Sequence, residues 1–285
     1  MKLCRFESSD KRVRIGLIQE SGELLDLTVA GVESLSSLLE APDYLARLEQ
    51  ATAQGLPSLR LEDVRLLAPV ERQEVWAAGV TYLRSKKARM DESDFSASAY
   101  DRVYEADRPE LFFKSLPEKV VAPNEPVGIR SDASWNVPEP ELALVLNSKG
   151  DIVGYTIGND MSSRDIEGEN SLYLPQAKVY DRSCSVGPYV TVGKTEEEVR
   201  TWSIRLGIDR DGKKVFEGET SPGQLKRSFR TLVDYLFRSQ RFPNGAVLLT
   251  GTGVIPSDDF TLQAGDHVLI EISGIGSLNN PVIVV

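Results

Sequence analysis

The chain has very few of the side chains that most often carry nucleophilic or zinc chemistry. Its 285 residues include one histidine, His267, and two cysteines, Cys4 and Cys184. Two cysteines form neither a disulfide framework nor a CxxC zinc pattern, and a single histidine excludes a three-histidine zinc site. Any Ser-His-Asp or Cys-His arrangement would have to use His267, which stands in AGDHVLIEI at a predicted strand start without an accompanying GxSxG. We therefore interpret His267 as structural.

Long apolar runs and excess positive charge are also absent. No run approaches the roughly 18 apolar residues of a membrane-spanning helix, and the N-terminal MKLCRFESSDKRVRIG has no signal-peptide apolar segment. The formal net charge of -10 argues against nucleic acid as the main partner, because phosphate binding needs a concentrated basic surface. The nucleotide fingerprints GxGxxG and GxxxxGK[ST] are missing. We expect a cytoplasmic protein that binds neither nucleic acid nor a membrane.

Hydrophobic patterning divides the chain into two predicted domains. Residues 1–69 combine short strands with a helical stretch that Pro42 splits, which predicts a small N-terminal α/β domain. Residues 70–285 contain many short apolar runs bounded by glycine, proline and aspartate. One amphipathic helix interrupts them, with apolar residues at i, i+3, i+4, i+7 and i+8: Phe229, Leu232, Val233, Leu236 and Phe237. The pattern predicts an α+β fold whose larger domain is mostly β, with a roll-like or barrel-like centre.

The stretch NVPEPELALVL places two glutamates at the start of an apolar strand. Because side chains alternate along a strand, Glu139 and Glu141 point to the same face, and Pro140 between them suits a strand start. Two adjacent like charges need a partner, which a metal ion, an arginine pair or water would supply. Asp160, in GYTIGNDMSSRD, follows another strand pattern and would join them if the two strands pair. Three carboxylates are typical of a magnesium, manganese or calcium site, although solvated surface carboxylates fit the same pattern.

Lys178 is a second candidate, in LPQAKVYDRSCSVGP. A lone lysine is most often a surface charge. Beside a divalent ion and an apolar wall, however, its pKa would fall and it would serve as a base.

These motifs together resemble the fumarylacetoacetate hydrolase superfamily. The resemblance rests on ELALVL with its preceding glutamate, GYTIGNDMSSRD, QAKVYDRSCSVGP, LLTGTGVIP and GDHVLIEISGIGSLNNPV, in order across roughly residues 75–285. It implies a β-roll catalytic domain and a divalent ion, Mg²⁺ with Mn²⁺ or Ca²⁺ as alternatives, bound by Glu139, Glu141 and Asp160. It also implies an active-site role for Lys178, a substrate contact for Thr252, a small-molecule 2-oxo acid substrate, and a homodimer or homotetramer.

Departures from the superfamily pattern indicate the reaction. Hydrolytic members activate water with a His–Glu pair after a GxNYxxH-like motif. Here Ser85 and Ala88 stand at those two positions, in AAGVTYLRSKKAR, so simple hydrolysis is disfavoured.

The features AGVTYLRS, RPELFFK and GENSLYLPQAKVYDRS instead resemble the dehydratase branch. That branch removes water from 2-dehydro-3-deoxy sugar acids and gives 2,5-dioxopentanoate from a five-carbon substrate. The resemblance implies Glu110 as a catalytic residue with Lys178, leaving open which of the two is the base. Arg84 and Ser85 are candidates for gripping the substrate, in a polar segment that fits either a flap or a solvated helix. The alternative within the superfamily is an acylpyruvate-type hydrolase or an oxaloacetate decarboxylase.

Overall fold

The computed structural model describes residues 1–82 and 102–285. Its strands are β1 Lys2–Glu7, β2 Val13–Ile18, β3 Leu24–Asp26, β4 Ser58–Leu59, β5 Arg65–Leu67, β6 Glu74–Gly79, β7 Glu110–Ser115, β8 Val127–Ile129, β9 Asn136–Val137, β10 Pro140–Leu146, β11 Ile152–Asp160, β12 Ser162–Ser163, β13 Cys184–Thr191, β14 Ile204–Arg210, β15 Lys213–Thr220, β16 Ala246–Leu249, β17 His267–Ile272 and β18 Gly276–Val284. Its named α-helices are α1 Leu35–Glu40, α2 Tyr44–Thr52, α3 Arg164–Glu169, α4 Leu174–Lys178, α5 Glu196–Arg200 and α6 Phe229–Leu236.

The N-terminal region has the elements that its sequence predicts. The helical stretch is divided into α1 and α2 on either side of Pro42, whose ring is incompatible with a helix interior. Both helices pack their leucines against β1 and β2 and against apolar residues of β10, β11 and β13. Strand β1 also pairs with β13 of the larger region, through Lys2 with Thr191 and Leu3 with Val190. The boundary between residues 69 and 70 stays a prediction, since one sheet runs through both regions.

The central sheet determines where polar side chains can gather. Its strand order is β4-β3-β2-β1-β13-β11-β10-β16-β6-β7, with β5 added on β1. Strand β10 is antiparallel to β11 and β16, β16 is parallel to β6, and β6 is antiparallel to β7. The ends of β11, β16 and β6 therefore lie at the same edge as the starts of β10 and β7. Residues far apart in sequence meet along this edge.

A second sheet covers one face of the first. Its order is β15-β14-β17-β18-β8, and β14 and β15 form a hairpin around Asp211 and Gly212, as the RDGK signal predicts. The largest apolar cluster lies between the sheets and includes Leu142, Ile157 and Ile270. Helix α6 buries four of the five residues of the predicted apolar stripe, Phe229, Leu232, Val233 and Leu236, while Phe237 follows the helix as its C-cap and is partly buried. The α+β, mostly β prediction is thus confirmed. Within the described ranges, no helix has the length and apolar content needed to cross a bilayer.

Candidate active site

Residues from five neighbouring strands, among them three carboxylates, meet at one edge of the central sheet. The contributions are Asp160 from the end of β11, Glu139 and Glu141 from the start of β10, Gly251 and Thr252 just past β16, Gly79 from the end of β6 and Glu110 from the start of β7. All but Glu110 line one small cavity together with Ala78, Val80 and Phe112. The glutamate pair, the aspartate and the threonine predicted from sequence are therefore adjacent.

The three carboxylates at the centre form one tight group. Glu139, Glu141 and Asp160 are 2%, 1% and 1% exposed and each offers an oxygen within 4.8 Å of the others. Pro140 pairs with Asn159, so the start of β10 meets the end of β11. Burial, together with repulsion from Asp160 and Glu139, raises the pKa of Glu141 well above its ordinary value of 4.5. This carboxylate is thus poorly compensated by the protein alone.

Lys178 lies against this group as its main cation. It is the last residue of the short helix α4 and is fully buried. Its Nζ donates to Glu139 Oε2 at 2.8 Å, to Ser162 Oγ at 2.5 Å and to Asp160 Oδ2 at 3.4 Å. Ser162 Oγ in turn donates to the Asp160 carbonyl oxygen at 3.0 Å. The ammonium of Lys178 therefore links two of the three carboxylates.

Three further buried charges surround the group and were not predicted from the sequence. Arg164 pairs with the second oxygen of Glu139. Glu167, one helical turn later, lies 4.0 Å from Lys178 Nζ. Lys114 Nζ lies 2.5 Å from Asp160 Oδ1. Arg164 and Lys114 do occur in the motifs NDMSSRD and RPELFFK, but one sequence gives no sign that such side chains are buried.

Glu110 lies against Gly79, one of the residues that line the cavity. The two residues are register partners between β6 and β7. A Cβ built on Gly79 would come within 2.0 Å of Glu110 Oε2 and 2.7 Å of its Cδ, so the glycine leaves the space that the carboxylate occupies. Phe112, two residues along the same strand, places its ring 5.8 Å from Lys178 Nζ. One face of β7 thus supplies a carboxylate and an aromatic wall.

The turn after β16 supports the third carboxylate. Thr250 is anchored to the Leu142 carbonyl oxygen through its amide and its hydroxyl. The next amide, of Gly251, donates to Glu141 Oε2 at 2.5 Å. Gly251 has a φ of +92°, and a Cβ there would meet Thr81 Oγ1 at 2.0 Å, so this position requires glycine. The TGTG sequence therefore serves to aim a backbone N–H at Glu141.

A divalent cation fits this arrangement. Three converging carboxylates are the donor set that magnesium and related hard ions prefer. The raised pKa of Glu141 indicates uncompensated negative charge. Asp160 Oδ1 is buried and, although it forms an ion pair with Lys114, it accepts no hydrogen bond, so it keeps a lone pair for an ion. Donors behind Glu139 and Glu141 would hold those ligands in place, as partners of metal-bound carboxylates commonly do.

Two sequence-predicted residues cannot be placed. Arg84 and Ser85 lie outside the described residues, as does Ala88. His267 begins β17 with an exposed side chain, and its neighbours in the ladder are Asp209 and Pro281.

Comparison with known proteins agrees with this geometry. Residues 74–283 match the sequence profile of the family described as fumarylacetoacetate (FAA) hydrolase C-terminal, which confirms the resemblance seen in the motifs. A probable 2-keto-3-deoxyxylonate dehydratase from Haloferax volcanii is 50% identical over 220 residues, which cover 77% of this chain and 75% of that protein. The 2-dehydro-3-deoxy-D-arabinonate dehydratase of Saccharolobus solfataricus is 40% identical over 230 residues, or 80% of this chain and 77% of that protein.

A solved structure is similar over the whole chain. It is a 2-keto-3-deoxy-D-arabinonate dehydratase complexed with magnesium and 2,5-dioxopentanoate, 32% identical, with a TM-score of 0.84 and coverage of 100% of this chain and 99% of that chain.

Proposed function

The chain belongs to the fumarylacetoacetate hydrolase family, and we propose that it is a magnesium-dependent dehydratase of a 2-dehydro-3-deoxy pentonic acid, giving 2,5-dioxopentanoate. The observation that carries the proposal is the contact of Glu110 with Gly79, which lines the same cavity as Glu139, Glu141 and Asp160. Dehydratase relatives at 50% and 40% identity support it. So does a similar structure that holds magnesium and the expected product.

The chemistry of the substrate narrows the choice of sugar acid. In a 2-dehydro-3-deoxy pentonate, C2 is a ketone and C3 a methylene, so C4 is the one stereocentre left. D-xylonate and D-arabinonate share their C4 configuration and lead to the same 2-dehydro-3-deoxy acid. The substrates named for the two relatives therefore do not conflict if both are D-sugars. The open question is the configuration at C4, D or L.

We assign the metal ligands as Glu139, Glu141 and Asp160. A magnesium ion held there would act as a Lewis acid toward the 2-oxo group and make the C3 protons acidic. The substrate is a monoanion; Thr252 lines the cavity, and Lys178 Nζ lies 5.8 Å from the ring of Phe112, which also lines it. Phe112 and Val80 supply apolar walls that limit the access of water.

We assign proton transfer to Glu110 rather than Lys178. The Lys178 ammonium already donates to three oxygen acceptors, which supports a role in fixing the carboxylates and attracting the substrate anion. Glu110 lies against the cavity-lining Gly79, and from there it would remove a C3 proton and return a proton to the leaving C4 hydroxyl. Loss of water creates a C3–C4 double bond. A proton shift from C5 to C3 then moves the double bond to C4–C5 and gives an enol, and protonation of this enol at C4 gives the C5 aldehyde.

A substrate assay tests the function directly. Purified protein is incubated with the D and L forms of 2-dehydro-3-deoxypentonate, with magnesium and again with EDTA, and 2,5-dioxopentanoate is measured with a coupled dehydrogenase. We expect magnesium-dependent product from one epimer in preference to the other. If neither epimer is turned over but acetylpyruvate or oxaloacetate is, the hydrolase or decarboxylase alternative would be established instead.

The role of Glu110 is tested by changing its surroundings. In Gly79→Ala the new methyl group would occupy the space of the Glu110 carboxylate, so kcat should fall about 10- to 100-fold, the usual effect of misplacing a catalytic group. Glu110→Gln should reduce kcat at least as much, and both variants should keep wild-type magnesium affinity. Gly207→Ala is the matched control, because its Cβ would meet nothing closer than 4.0 Å. Full turnover in both Gly79→Ala and Glu110→Gln would remove Glu110 from the reaction.

We also propose a cytoplasmic homodimer or homotetramer. Both cysteines are free and buried, which agrees with a reducing compartment. Light scattering coupled to gel filtration would measure the subunit number. Elution at 31.5 kDa would contradict an oligomer.

A further inference from the structure

Lys114 is unusual for a lysine in two respects, its complete burial and its place in the strand register. It is 0% exposed, and lysine is almost never fully buried unless paired. In the β6–β7 ladder, Phe113 pairs with Trp76 and Ser115 with Val75. Lys114 is therefore the additional residue of a β-bulge. Bulges commonly redirect a side chain next to an active site.

The ammonium of Lys114 contacts two segments of the site. Its Nζ donates to the carbonyl oxygens of Met161 at 2.9 Å and Lys178 at 2.5 Å. It also lies 2.5 Å from Asp160 Oδ1, in an ion pair that lacks hydrogen-bond geometry. The Lys178 carbonyl is one of those that the end of α4 leaves without an intrahelical partner. One cation therefore holds both the end of β11 and the end of α4.

We propose that Lys114 is a positioning residue that aims Asp160 as a metal ligand and fixes the backbone from which Lys178 enters the site. The proposal rests on the proposed function for its kinetic part, while its metal-binding part needs no substrate. Lys114 lies on β7 four residues after Glu110. Strand β7 thus carries both the proton-transferring carboxylate of Glu110 and the ammonium that binds the ends of β11 and α4.

Replacement by methionine separates charge from packing. Lys114→Met keeps the length of the buried stem but removes the ammonium. We expect the magnesium Kd to rise about 10- to 100-fold, the usual effect of losing a partner of a metal ligand. We also expect kcat to stay about 10-fold or more below wild type at saturating magnesium, because the Lys178 backbone is no longer held. Lys119→Met, an exposed lysine just after the same strand, is the control and should change neither quantity.

A second variant covers the case in which Lys114→Met does not fold. Lys114→Arg keeps the positive charge beside Asp160, but a planar guanidinium cannot reproduce three contacts made by a tetrahedral ammonium. It should recover part of the magnesium affinity while kcat stays low. Magnesium binding is measured by calorimetry, kcat at saturating metal, and folding by circular dichroism.

Each result has a defined meaning. A folded Lys114→Met protein with wild-type magnesium Kd and wild-type kcat would overturn the proposal, and so would Lys114→Arg with both values unchanged. A variant that loses only thermal stability would show Lys114 to be structural and would equally overturn it. If the wild type turns over no sugar acid, the proposed function fails, but the calorimetric comparison still decides whether Lys114 supports the metal ligand.

Discussion

Two glutamates, the partly exposed Glu71 and the buried Glu141, have contrasting hydrogen-bonding environments in two regions of the molecule. Glu71 lies between the N-terminal helices and the larger region, with 17% of its side chain exposed. It accepts hydrogen bonds from Ser34 Oγ, Ser36 Oγ and the amides of Leu35 and Ser36, at the first turn of α1. Burial acts to raise the pKa of Glu71, but these donors outweigh it and the pKa lies below 4.5.

Glu141 receives far less compensation. The Gly251 amide donates to it, and burial together with repulsion from Asp160 and Glu139 raises its pKa. A carboxylate that folding alone requires is surrounded by donors, as Glu71 is. One that stays under-compensated in a cavity marks a position where a ligand supplies the missing charge. Substitution by glutamine should therefore reduce activity at Glu141 and stability at Glu71.

The largest effect is expected from Glu141→Gln. Loss of a metal ligand removes a Lewis-acid contribution of several kcal/mol, so kcat/KM should fall about a thousandfold or more. The increase in melting temperature that magnesium should give the wild type should be absent in this variant. The metal-free variant should be no less stable than wild type, since glutamine removes a charge that Asp160 and Glu139 repel. A metal-free variant with a markedly lower melting temperature would show Glu141 to be structural after all.

The next largest effect is expected on stability, from Glu71→Gln. An amide presents one acceptor oxygen where the carboxylate presented two, and its NH₂ group would face the N–H donors of Leu35 and Ser36. We expect a loss of about 1–3 kcal/mol in the free energy of unfolding, measured by urea denaturation. Turnover well below the melting temperature should stay at the wild-type value.

The matched control for this variant is Glu23→Gln, at an exposed position in the same region. It should change neither stability nor turnover. If Glu71→Gln lost activity in proportion to Glu141→Gln, the contrast between a structural and a functional glutamate would not hold.

The sequence predicts those parts of each site whose residues are close together in the chain or follow a strand or helix pattern. Glu139 and Glu141 are two residues apart, so strand periodicity alone predicts that they share a face, and the strand pattern before Asp160 predicts where it can join them. Lys178 was expected between a proline and a strand, and it ends a short helix after that proline. The family resemblance added the roles of these residues.

Other contacts depend on three-dimensional proximity that no local pattern encodes. Glu71 caps a helix some 35 residues earlier, and its own neighbours in sequence give no sign of this. Lys114 lies in a bulge that only the pairing of β6 with β7 reveals, and its contacts are with residues 47 and 64 positions later in the chain. Arg164 has the sequence context of an ordinary residue in the first turn of a helix, and only the structure shows its ion pair with Glu139.

The smallest effect, and the sharpest test of the comparison, is the pH dependence of the metal-free protein. The lowered pKa of Glu71 means that its contribution to stability is present above pH 4.5 and is lost as the pH falls through the folded-state pKa. The pKa of Glu141 is shifted in the opposite direction, so its effect on stability has the opposite pH dependence. Its contribution is present below pH 4.5 and is lost as the pH rises through the folded-state pKa.

Urea denaturation at a series of pH values measures both contributions. Glu71→Gln should flatten the acid side of the stability profile, and Glu141→Gln should flatten the decline on the other side. Magnesium should stabilise the wild type more as the pH rises, because the ion binds the ionised carboxylate. Profiles of the two variants that run parallel to wild type throughout would mean that the two glutamates ionise alike, and the distinction between them would then rest on hydrogen bonding alone.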